Sequence, residues 1–321
     1  MKATAVAHPI QGLIKYHGLK DVEKRIPYHD SISVCANALS TKTTVETVEE
    51  STSIEIMVNE RTLKGVERRR VENVLTKLRE LTGYSGGFRV VSRNSIVSGK
   101  GLGFSASGFA ALGLAAAKAL GADVDRVSLS EIVRYGAGSA TRSLAGGFAI
   151  WHADRNGRSY AEQLETFAGI DFSMVILPVD SDVKTDEAHI EVLSSILFKA
   201  RLENIKGLIR RMRQAVRQGD TALIGKLAEE DTLNLHAITM TGKSHMVLWE
   251  PCTVEAIKEV VKLREQGVPA WYSIDTGPSV FVNTYRENVE TIAERFRGLG
   301  FKNVLTSDVG GPAVLTGDHL F

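Results

Sequence analysis

The first third of the chain alternates apolar and polar residues in the manner of β-strands. Three segments share this pattern and a high content of β-branched residues: SISVCANAL from Ser31, TTVETV from Thr43 and SIEIMV from Ser53. From Arg68 onward apolar residues recur at helical spacing, and FRVVS from Phe88 returns to strand composition. The pattern therefore predicts several strands, one helix and a further strand.

Two more helices are predicted before residue 150. The Ala-rich segment that ends at Leu120 follows a Gly- and Ser-rich turn, and its composition is typical of a buried helix. Ser128 and Glu131 have the spacing of a capping box, which predicts that another helix starts near Ser128. This helix leads into a second glycine-rich turn.

The pattern changes after the apolar run FSMVILPV, which begins at Phe172 and is followed by polar residues. We interpret this run as the last strand of a first domain, residues 1–179, and residues 180–321 as a second domain. In the second domain the pattern predicts these elements: helices over 197–216, 221–227 and 254–264, strands AWYSI and SVFVNTY around a turn, a helix that ends near Gly300, and the strand NVLTSDV. This order resembles a split βαβ layer.

Composition and charge exclude several classes of protein. The chain has 321 residues, enough for about two domains of roughly 150 residues, and its apolar and charged fractions of 43% and 24% are those of a globular protein. A net charge of +1 gives no field that would attract nucleic acid or an anionic membrane. Cys35 and Cys252 form no disulfide framework or CxxC pair, and the N-terminus has no export signal, so we expect a cytoplasmic protein.

The segment SGKGLGFSASGFAALGLAAAKAL is the first candidate for chemistry. A Gly- and Ser-rich turn that opens a helix can bring backbone N–H groups and the positive end of the helix dipole close to a phosphate. Ser105 and Ser107 add hydroxyls that could contact phosphate or magnesium. Two alternatives remain at this point: a structural helix built from small residues, and a GxSxG-like serine hydrolase in which Ser105 reacts with a fluorophosphonate.

Three further segments carry candidate polar residues. In GAGSATRSLAGGFAIW, Arg142 could hold a carboxylate or phosphate with both arms of its guanidinium, beside Ser139; a surface arginine is the alternative. In YSIDTGPSVFV, Asp275 follows a strand and could act as a general base, or it could cap its own turn. In IKYHGLKD, Lys15 could stabilise phosphoryl charge or be a solvated lysine. The histidines have no metal-ligand spacing.

Taken together, these segments resemble the diphosphomevalonate decarboxylases of the GHMP kinase superfamily. The resemblance follows the order IKYHGLKD, PYHDSISV, GLGFSASGFAAL, GAGSATRSLAGGFAIW and YSIDTGPSVFV and spans nearly the whole chain. It implies an α+β fold with an N-terminal domain like ribosomal protein S5 domain 2 and a ferredoxin-like C-terminal domain. It also implies ATP- and Mg²⁺-dependent decarboxylation of (R)-5-diphosphomevalonate to isopentenyl diphosphate, ADP, phosphate and CO2, and a homodimer.

The resemblance also implies roles for residues at matching positions. They are Asp275, Lys15 and Arg142 in catalysis, with Arg142 also at the substrate carboxylate; Tyr16, Arg70 and Ser139 in substrate binding; Gly101, Gly103, Ser105, Ala106 and Ser107 in nucleotide binding; and Ser105 at the metal. Asp275 would orient or deprotonate the 3-hydroxyl, and phosphorylation would turn that hydroxyl into a leaving group before CO2 departs.

The chain departs from the family pattern where the family binds the 5-diphosphate. The family's KYWGK reads KYHGL here, so that His17 replaces a tryptophan and Leu19 replaces a lysine. Arg68, Arg69 and Arg70 could compensate for the lost charge, and Arg70 is placed best. The alternatives are therefore a 5-phosphomevalonate decarboxylase, a mevalonate 3-kinase, and a catalytically silent binding protein of the same fold.

Overall fold

A computed structural model of the protein describes residues 1–96, 102–180 and 185–321, without the side chains of residues 185 and 186. Its strands are β1 (Lys2–Ala7), β2 (Ile10–Ile14), β3 (Leu19–Asp21), β4 (Ile26–Pro27), β5 (Ser31–Cys35), β6 (Thr41–Val48), β7 (Ile54–Val58), β8 (Arg61–Thr62), β9 (Gly87–Asn94), β10 (Phe148–Arg155), β11 (Arg158–Gln163), β12 (Ser173–Leu177), β13 (Trp271–Ile274), β14 (Val280–Thr284), β15 (Leu305–Asp308) and β16 (Val314–Thr316). Its α-helices are α1 (Gly65–Thr82), α2 (Phe104–Ala119), α3 (Arg126–Val133), α4 (Ala140–Ala145), α5 (Thr185–Glu191), α6 (Phe198–Gln218), α7 (Thr221–Met240), α8 (Pro251–Glu265) and α9 (Val289–Gly298). The pairings between these strands are antiparallel except for the parallel pair β7 and β9, and this largely antiparallel arrangement with separate helices confirms the α+β class.

Three larger sheets organise the described residues. One has the order β16-β1-β6-β9-β7-β8, the second β11-β10-β5-β2, and the third β13-β14-β12-β15, while β3 and β4 form a separate pair. Helices α1 and α2 cover the first sheet, and α2 buries its alanines against β1 and β6 because small side chains allow close approach. Among the described residues, no helix is both long and apolar enough to cross a bilayer.

The two faces of the second sheet have different surroundings. Alternate residues of β5 and β10, among them Ile32, Val34 and Ile150, join a core that also contains residues of α6 and α7. The opposite face of the sheet, which includes Ser33 and Trp151, packs against α4. The strand β2 lies at the edge of this sheet and contacts α7 and β13, so that it connects the two halves of the chain.

The third sheet has the connectivity of a ferredoxin-like domain. Its strands follow β12, then helices, then the hairpin β13–β14, then α9 and β15, and all of its pairings are antiparallel. The strand β12 therefore pairs within the C-terminal sheet, although the sequence pattern suggests a strand at the end of the first domain; the boundary at 179–180 stays a prediction. The division at 179–180 separates β12 from the strands that it pairs with, and β16 returns to pair with β1.

Two predicted helix ends need correction, while the third, near Gly300, lies within two residues of the end of α9. Helix α3 begins at Arg126 rather than near Ser128, because Asp125 is its N-cap and accepts the Ser128 N–H. Helix α9 has Leu299 at its C-cap, and Gly300 follows with φ of +92°. Helix α7 continues to Met240 rather than ending at residue 227. The apolar pattern stops early there because α7 buries polar residues on one side.

Candidate active site

The site lies where β2 meets the end of β13. Asp275 directly follows β13, and the Gly12 N–H donates to both of its carboxylate oxygens, at 3.1 and 3.0 Å. Burial raises the pKa of Asp275, while Lys15, the Gly12 N–H and Arg142 oppose that rise. The side chain of Asp275 therefore faces β2, beside two cations, and a raised pKa makes its carboxylate a better base.

Gly12 is required for this contact. A Cβ atom at residue 12 would stand 2.7 Å from Asp275 Oδ1 and 2.7 Å from Lys15 Cγ, closer than real Cβ atoms come to other heavy atoms. The absence of a side chain thus allows a carboxylate and a lysine to approach the same stretch of backbone.

We expect Gly12→Ala to lower turnover by about tenfold, because the methyl group displaces both neighbours by several tenths of an ångström, and a 1 Å misplacement costs roughly a hundredfold. Steady-state kinetics of the folded variant measure this. Gly207→Ala on α6 is the matched control, since no atom lies within 4 Å of its added Cβ. Equal kinetics of the two variants would contradict the requirement for glycine at residue 12.

Lys15 is buried, with 4% of its surface exposed, and is not a solvated lysine. Its Nζ donates to Thr232 Oγ1 at 3.1 Å and to Ser273 Oγ at 2.9 Å. Ser273 Oγ in turn donates to the Gly12 carbonyl. Burial lowers the pKa of Lys15 from its usual value, and Asp231 and Asp275 act against that shift. The ammonium is thus held in a fixed place beside the carboxylate of Asp275.

Arg142 is likewise buried, with 2% of its surface exposed, and is not a surface arginine. Its guanidinium carbon lies 5.4 Å from the centroid of the Tyr16 ring and 6.0 Å from that of Trp151. Within the described part of the chain its Nε and Nη1 have no hydrogen-bond partner. Burial lowers its pKa to about 10, so the group remains charged at neutral pH. Buried unpaired donors on a cation indicate a place for an anionic ligand.

Aromatic rings hold this guanidinium. Tyr16 and Trp151 meet edge to face with centroids 4.8 Å apart, and His189 stacks on the Tyr16 ring with centroids 4.9 Å apart. A Cβ atom at residue 138 would stand 2.6 Å from Trp151 and 2.9 Å from the Tyr16 hydroxyl, so Gly138 allows α4 to approach these rings. The structure thus brings Tyr16, Arg142 and Asp275 to the same region.

The two other predicted substrate residues are Ser139, three residues before Arg142, and Arg70, which contacts the loop before α4. Ser139 is the N-cap residue of α4 and is half-buried. Arg70 donates from Nε to the Gly136 carbonyl at 2.6 Å and lies over the ring of Phe109. The main-chain contact ties Arg70 to the loop that precedes α4, so part of its donor capacity is used by the protein.

The predicted phosphate loop opens α2. Gly103 is the N-cap with φ of +77°, and a Cβ atom there would stand 2.8 Å from the Ile10 carbonyl. Ser105 is exposed in the first turn of the helix. Ala106 and Ser107 are fully buried, and the Ser107 hydroxyl lies 2.7 Å from Thr41 Oγ1 and donates to the Phe104 carbonyl. Its hydroxyl thus anchors the helix to β6. Gly101 lies outside the described residues.

Sequence reasoning missed two charged residues of the site. Asp231 on α7 and Arg201 on α6 are buried and pair with each other at 3.0 Å, and both bond to the backbone of Lys15. The sequence around them gives little indication of burial. Asp231 lies in the polar run EEDT, which follows the predicted helix 221–227, and Arg201 is one of several basic residues in its helix. A helix that buries Asp231, Thr232 and His236 presents one side to a polar site, while its apolar side joins the core.

Both halves of the chain match known sequence families. Residues 7–161 match the family described as diphosphomevalonate decarboxylase-like N-terminal domain. Residues 184–307 match the family described as mevalonate 5-diphosphate decarboxylase C-terminal domain.

Relatives and solved structures extend this similarity to the full length. The chain is 41% identical over 315 residues to phosphomevalonate decarboxylase of Haloferax volcanii, covering 98% of this chain and 97% of the relative. It is similar to the crystal structure of mevalonate diphosphate decarboxylase from Staphylococcus aureus, with 26% identity, a TM-score of 0.92 and 98% coverage of both chains. It is also similar to a complex described as MDDEF with MVAPP, AMPPCP and magnesium, with 26% identity, a TM-score of 0.91, and coverage of 98% and 99%. The GHMP kinase fold that the sequence predicts is thereby confirmed.

Proposed function

Since the chain belongs to the diphosphomevalonate decarboxylase family, we propose that it catalyses ATP-dependent decarboxylation of a 5-phosphorylated mevalonate, with 5-phosphomevalonate as the preferred substrate. The products are isopentenyl phosphate, ADP, phosphate and CO2. The observation that carries the proposal is that the half-buried carboxylate of Asp275 lies beside the buried cations Lys15 and Arg142. Among the described residues, Nε and Nη1 of Arg142 have no hydrogen-bond partner.

The first half-reaction transfers the γ-phosphoryl group of ATP to the 3-hydroxyl. Asp275 accepts the proton of that hydroxyl, and the Gly12 N–H keeps its carboxylate oriented. Lys15 stabilises the charge that develops on the transferring phosphoryl group, because its ammonium is fixed by Thr232 and Ser273 before the substrate binds. Phosphorylation replaces a poor leaving group by a good one.

In the second half-reaction the C–O bond of the tertiary carbon breaks and phosphate leaves with its electron pair. The C–C bond to the carboxylate also breaks; its electron pair forms the new carbon–carbon double bond, and the carboxylate leaves as CO2. Arg142 binds the carboxylate with Nε and Nη1, to which no other described residue is hydrogen-bonded, and keeps the breaking bond aligned with the leaving phosphate. Its contact must weaken as the carboxylate becomes neutral CO2. The rings of Tyr16 and Trp151 fix the guanidinium, so that orientation rather than tight ground-state binding favours the reaction.

The N-terminus of α2 fits the phosphates of ATP. Gly103 has the left-handed backbone that a close-approaching loop needs, the helix dipole points its positive end there, and the exposed hydroxyl of Ser105 would hold the metal ion. Magnesium, when bound with ATP, neutralises phosphate charge. Similarity to the complex with AMPPCP and magnesium supports this assignment of ATP and Mg²⁺ to the chain.

Two observations favour one phosphate at the 5-position rather than two. The relative with 41% identity carries the name phosphomevalonate decarboxylase, whereas the solved diphosphate-named relative from Staphylococcus aureus is 26% identical. In addition, the side chain at residue 19 is an uncharged, buried leucine, and Arg70 gives one donor to Gly136. Fewer available cations stabilise fewer phosphate charges.

We expect kcat/KM to be at least about tenfold higher with 5-phosphomevalonate than with 5-diphosphomevalonate. A tenfold ratio corresponds to the free energy of about one charge-assisted hydrogen bond. An assay with magnesium-ATP and each of mevalonate, 5-phosphomevalonate and 5-diphosphomevalonate measures this. A preference for the diphosphate would support the second candidate, diphosphomevalonate decarboxylase, which the matches to families of that name favour. Phosphorylation of mevalonate alone would contradict both.

A further inference from the structure

Two charged residues from neighbouring helices hold the main chain of Lys15. Asp231 Oδ2 on α7 accepts the Lys15 N–H at 2.7 Å, and Arg201 Nη2 on α6 donates to the Lys15 carbonyl at 2.7 Å. Both backbone groups of one residue are thus bonded to side chains of the C-terminal half of the chain. Lys15 follows the edge strand β2, where such groups would otherwise lack a sheet partner.

The two residues form one unit. Arg201 Nη2 lies 3.0 Å from Asp231 Oδ1, and Arg201 Nη1 donates to Asn234 Oδ1 at 2.5 Å. The side chains of Arg201 and Asp231 are 1% and 0% exposed. A buried ion pair contributes little net stability compared with apolar packing, but loss of one partner leaves a costly unpaired charge. The pair therefore needs a reason other than stability, and its contacts to Lys15 suggest one.

The same carboxylate also reaches the other end of the lysine. Asp231 Oδ2, which accepts the Lys15 N–H, lies 3.9 Å from Lys15 Nζ. The next residue of α7, Thr232, accepts from that Nζ at 3.1 Å and accepts the Ile274 N–H at 3.2 Å. One turn of α7 thus contacts the backbone of Lys15, its ammonium and the last residue of β13, which directly precedes Asp275.

We propose that Asp231 and Arg201 are positioning residues for Lys15: the pair holds its main chain, fixes the place of its ammonium, and keeps one negative and one positive charge beside it. The proposal rests on the proposed function, in which Lys15 acts as a cation at the transferring phosphoryl group. Neither residue needs to touch the substrate.

The charges around Lys15 determine in which direction each substitution should shift the pKa of its ammonium. The groups that act on it are Asp231, Asp275, Arg201 and Arg142, and His236 is a further titratable neighbour. Burial is the largest influence and lowers the pKa of Lys15; Asp231 raises it, and Arg201 lowers it. The pKa of His236 is lowered to about 3, so this imidazole is neutral at working pH. Removing one or the other charge of the pair should therefore shift Lys15 in opposite directions.

The test compares the alkaline limb of the pH profile of kcat/KM in two variants. Only protonated Lys15 is active, so activity falls as pH rises through its pKa. Asp231→Asn removes a negative charge and is expected to move this limb to lower pH by about one unit or more; Arg201→Gln removes a positive charge and is expected to move it to higher pH. A merely structural role would lower activity in both variants without opposite shifts.

A second measurement does not depend on the reaction. Competitive acetylation of Lys15 with acetic anhydride across pH, followed by mass spectrometry without substrate, reports the pKa of the amine. The same opposite shifts are expected there. If the shifts appear but no variant and no wild-type protein decarboxylates, then the proposed function fails while the positioning role stands. If a single variant does not fold, the double variant Asp231→Asn with Arg201→Gln is measured instead. It removes both charges of the pair, so neither is left buried without the other.

Glu229→Gln is the matched control. Glu229 lies on the same helix, accepts a backbone N–H of β13 at Tyr272 and pairs with Arg264, but it does not contact Lys15. We expect the Lys15 titration of this variant to equal that of the wild type. Shifts of the same sign in Asp231→Asn and Arg201→Gln, no shift in either, or an equal shift in Glu229→Gln would overturn the proposal.

Discussion

An Asp275→Asn variant is expected to turn over at least about a hundredfold more slowly than the wild type while it still binds ATP, because an amide cannot accept the proton of the 3-hydroxyl. The amide oxygen can still accept the Gly12 N–H, which now reaches both carboxylate oxygens, so the local geometry is preserved. Steady-state turnover and equilibrium binding of a non-hydrolysable ATP analogue measure the two parts of this expectation.

Asp308→Asn is a suitable control for that variant. Asp308 ends β15 in the same sheet, and its side chain accepts from Ser173 rather than from a residue of the site. Wild-type turnover is expected for it. If folded Asp275→Asn also turned over at the wild-type rate, Asp275 would have no part in proton transfer.

We expect Arg142→Lys to lower kcat/KM by about ten- to a hundredfold, the range for one hydrogen bond to a charged group. A lysine keeps the positive charge but loses the planar fork and the stacking over Tyr16 and Trp151. The KM for the phosphorylated mevalonate and the ratio of CO2 to ADP are measured together. We expect the ratio to fall, because a poorly aligned carboxylate leaves more slowly than the phosphoryl group is transferred.

The control for Arg142→Lys is Arg134→Lys. Arg134 is also buried, with 6% of its surface exposed, but it lies at the end of α3 and donates to the Lys24 carbonyl. This variant measures what the loss of a buried guanidinium costs the fold away from the site. Unchanged kcat/KM and an unchanged ratio in Arg142→Lys would reject the role of Arg142 at the carboxylate.

The sequence predicted most of the fold because periodicity reports burial directly. The period-two runs at Ser31, Thr43 and Ser53 became β5, β6 and β7, and the helical spacing after Arg68 became α1. Sheet membership was harder, because the apolar run from Phe172 shows that a strand is buried on both faces but not which strands it pairs with. Its partners β14 and β15 lie more than a hundred residues further along the chain.

The candidate site was predicted through residues whose chemistry is unusual in its local sequence. Lys15, Arg142 and Asp275 stand in glycine-rich or strand-end segments that resemble a known family, and the structure brings them together. Asp231 and Arg201 gave no such signal, since a charged residue on a helix normally faces solvent. Only the packing of α6 and α7 against β2 places them in the interior.

In the proposed reaction, phosphorylation and decarboxylation are coupled on a 5-phosphorylated mevalonate. Its most direct test is to record ADP and CO2 together while purified protein turns over 5-phosphomevalonate with magnesium-ATP. We expect one CO2 for each ADP, with phosphate released in the same amount. ADP without CO2 would make the protein a kinase and contradict the assignment of Arg142 to a departing carboxylate.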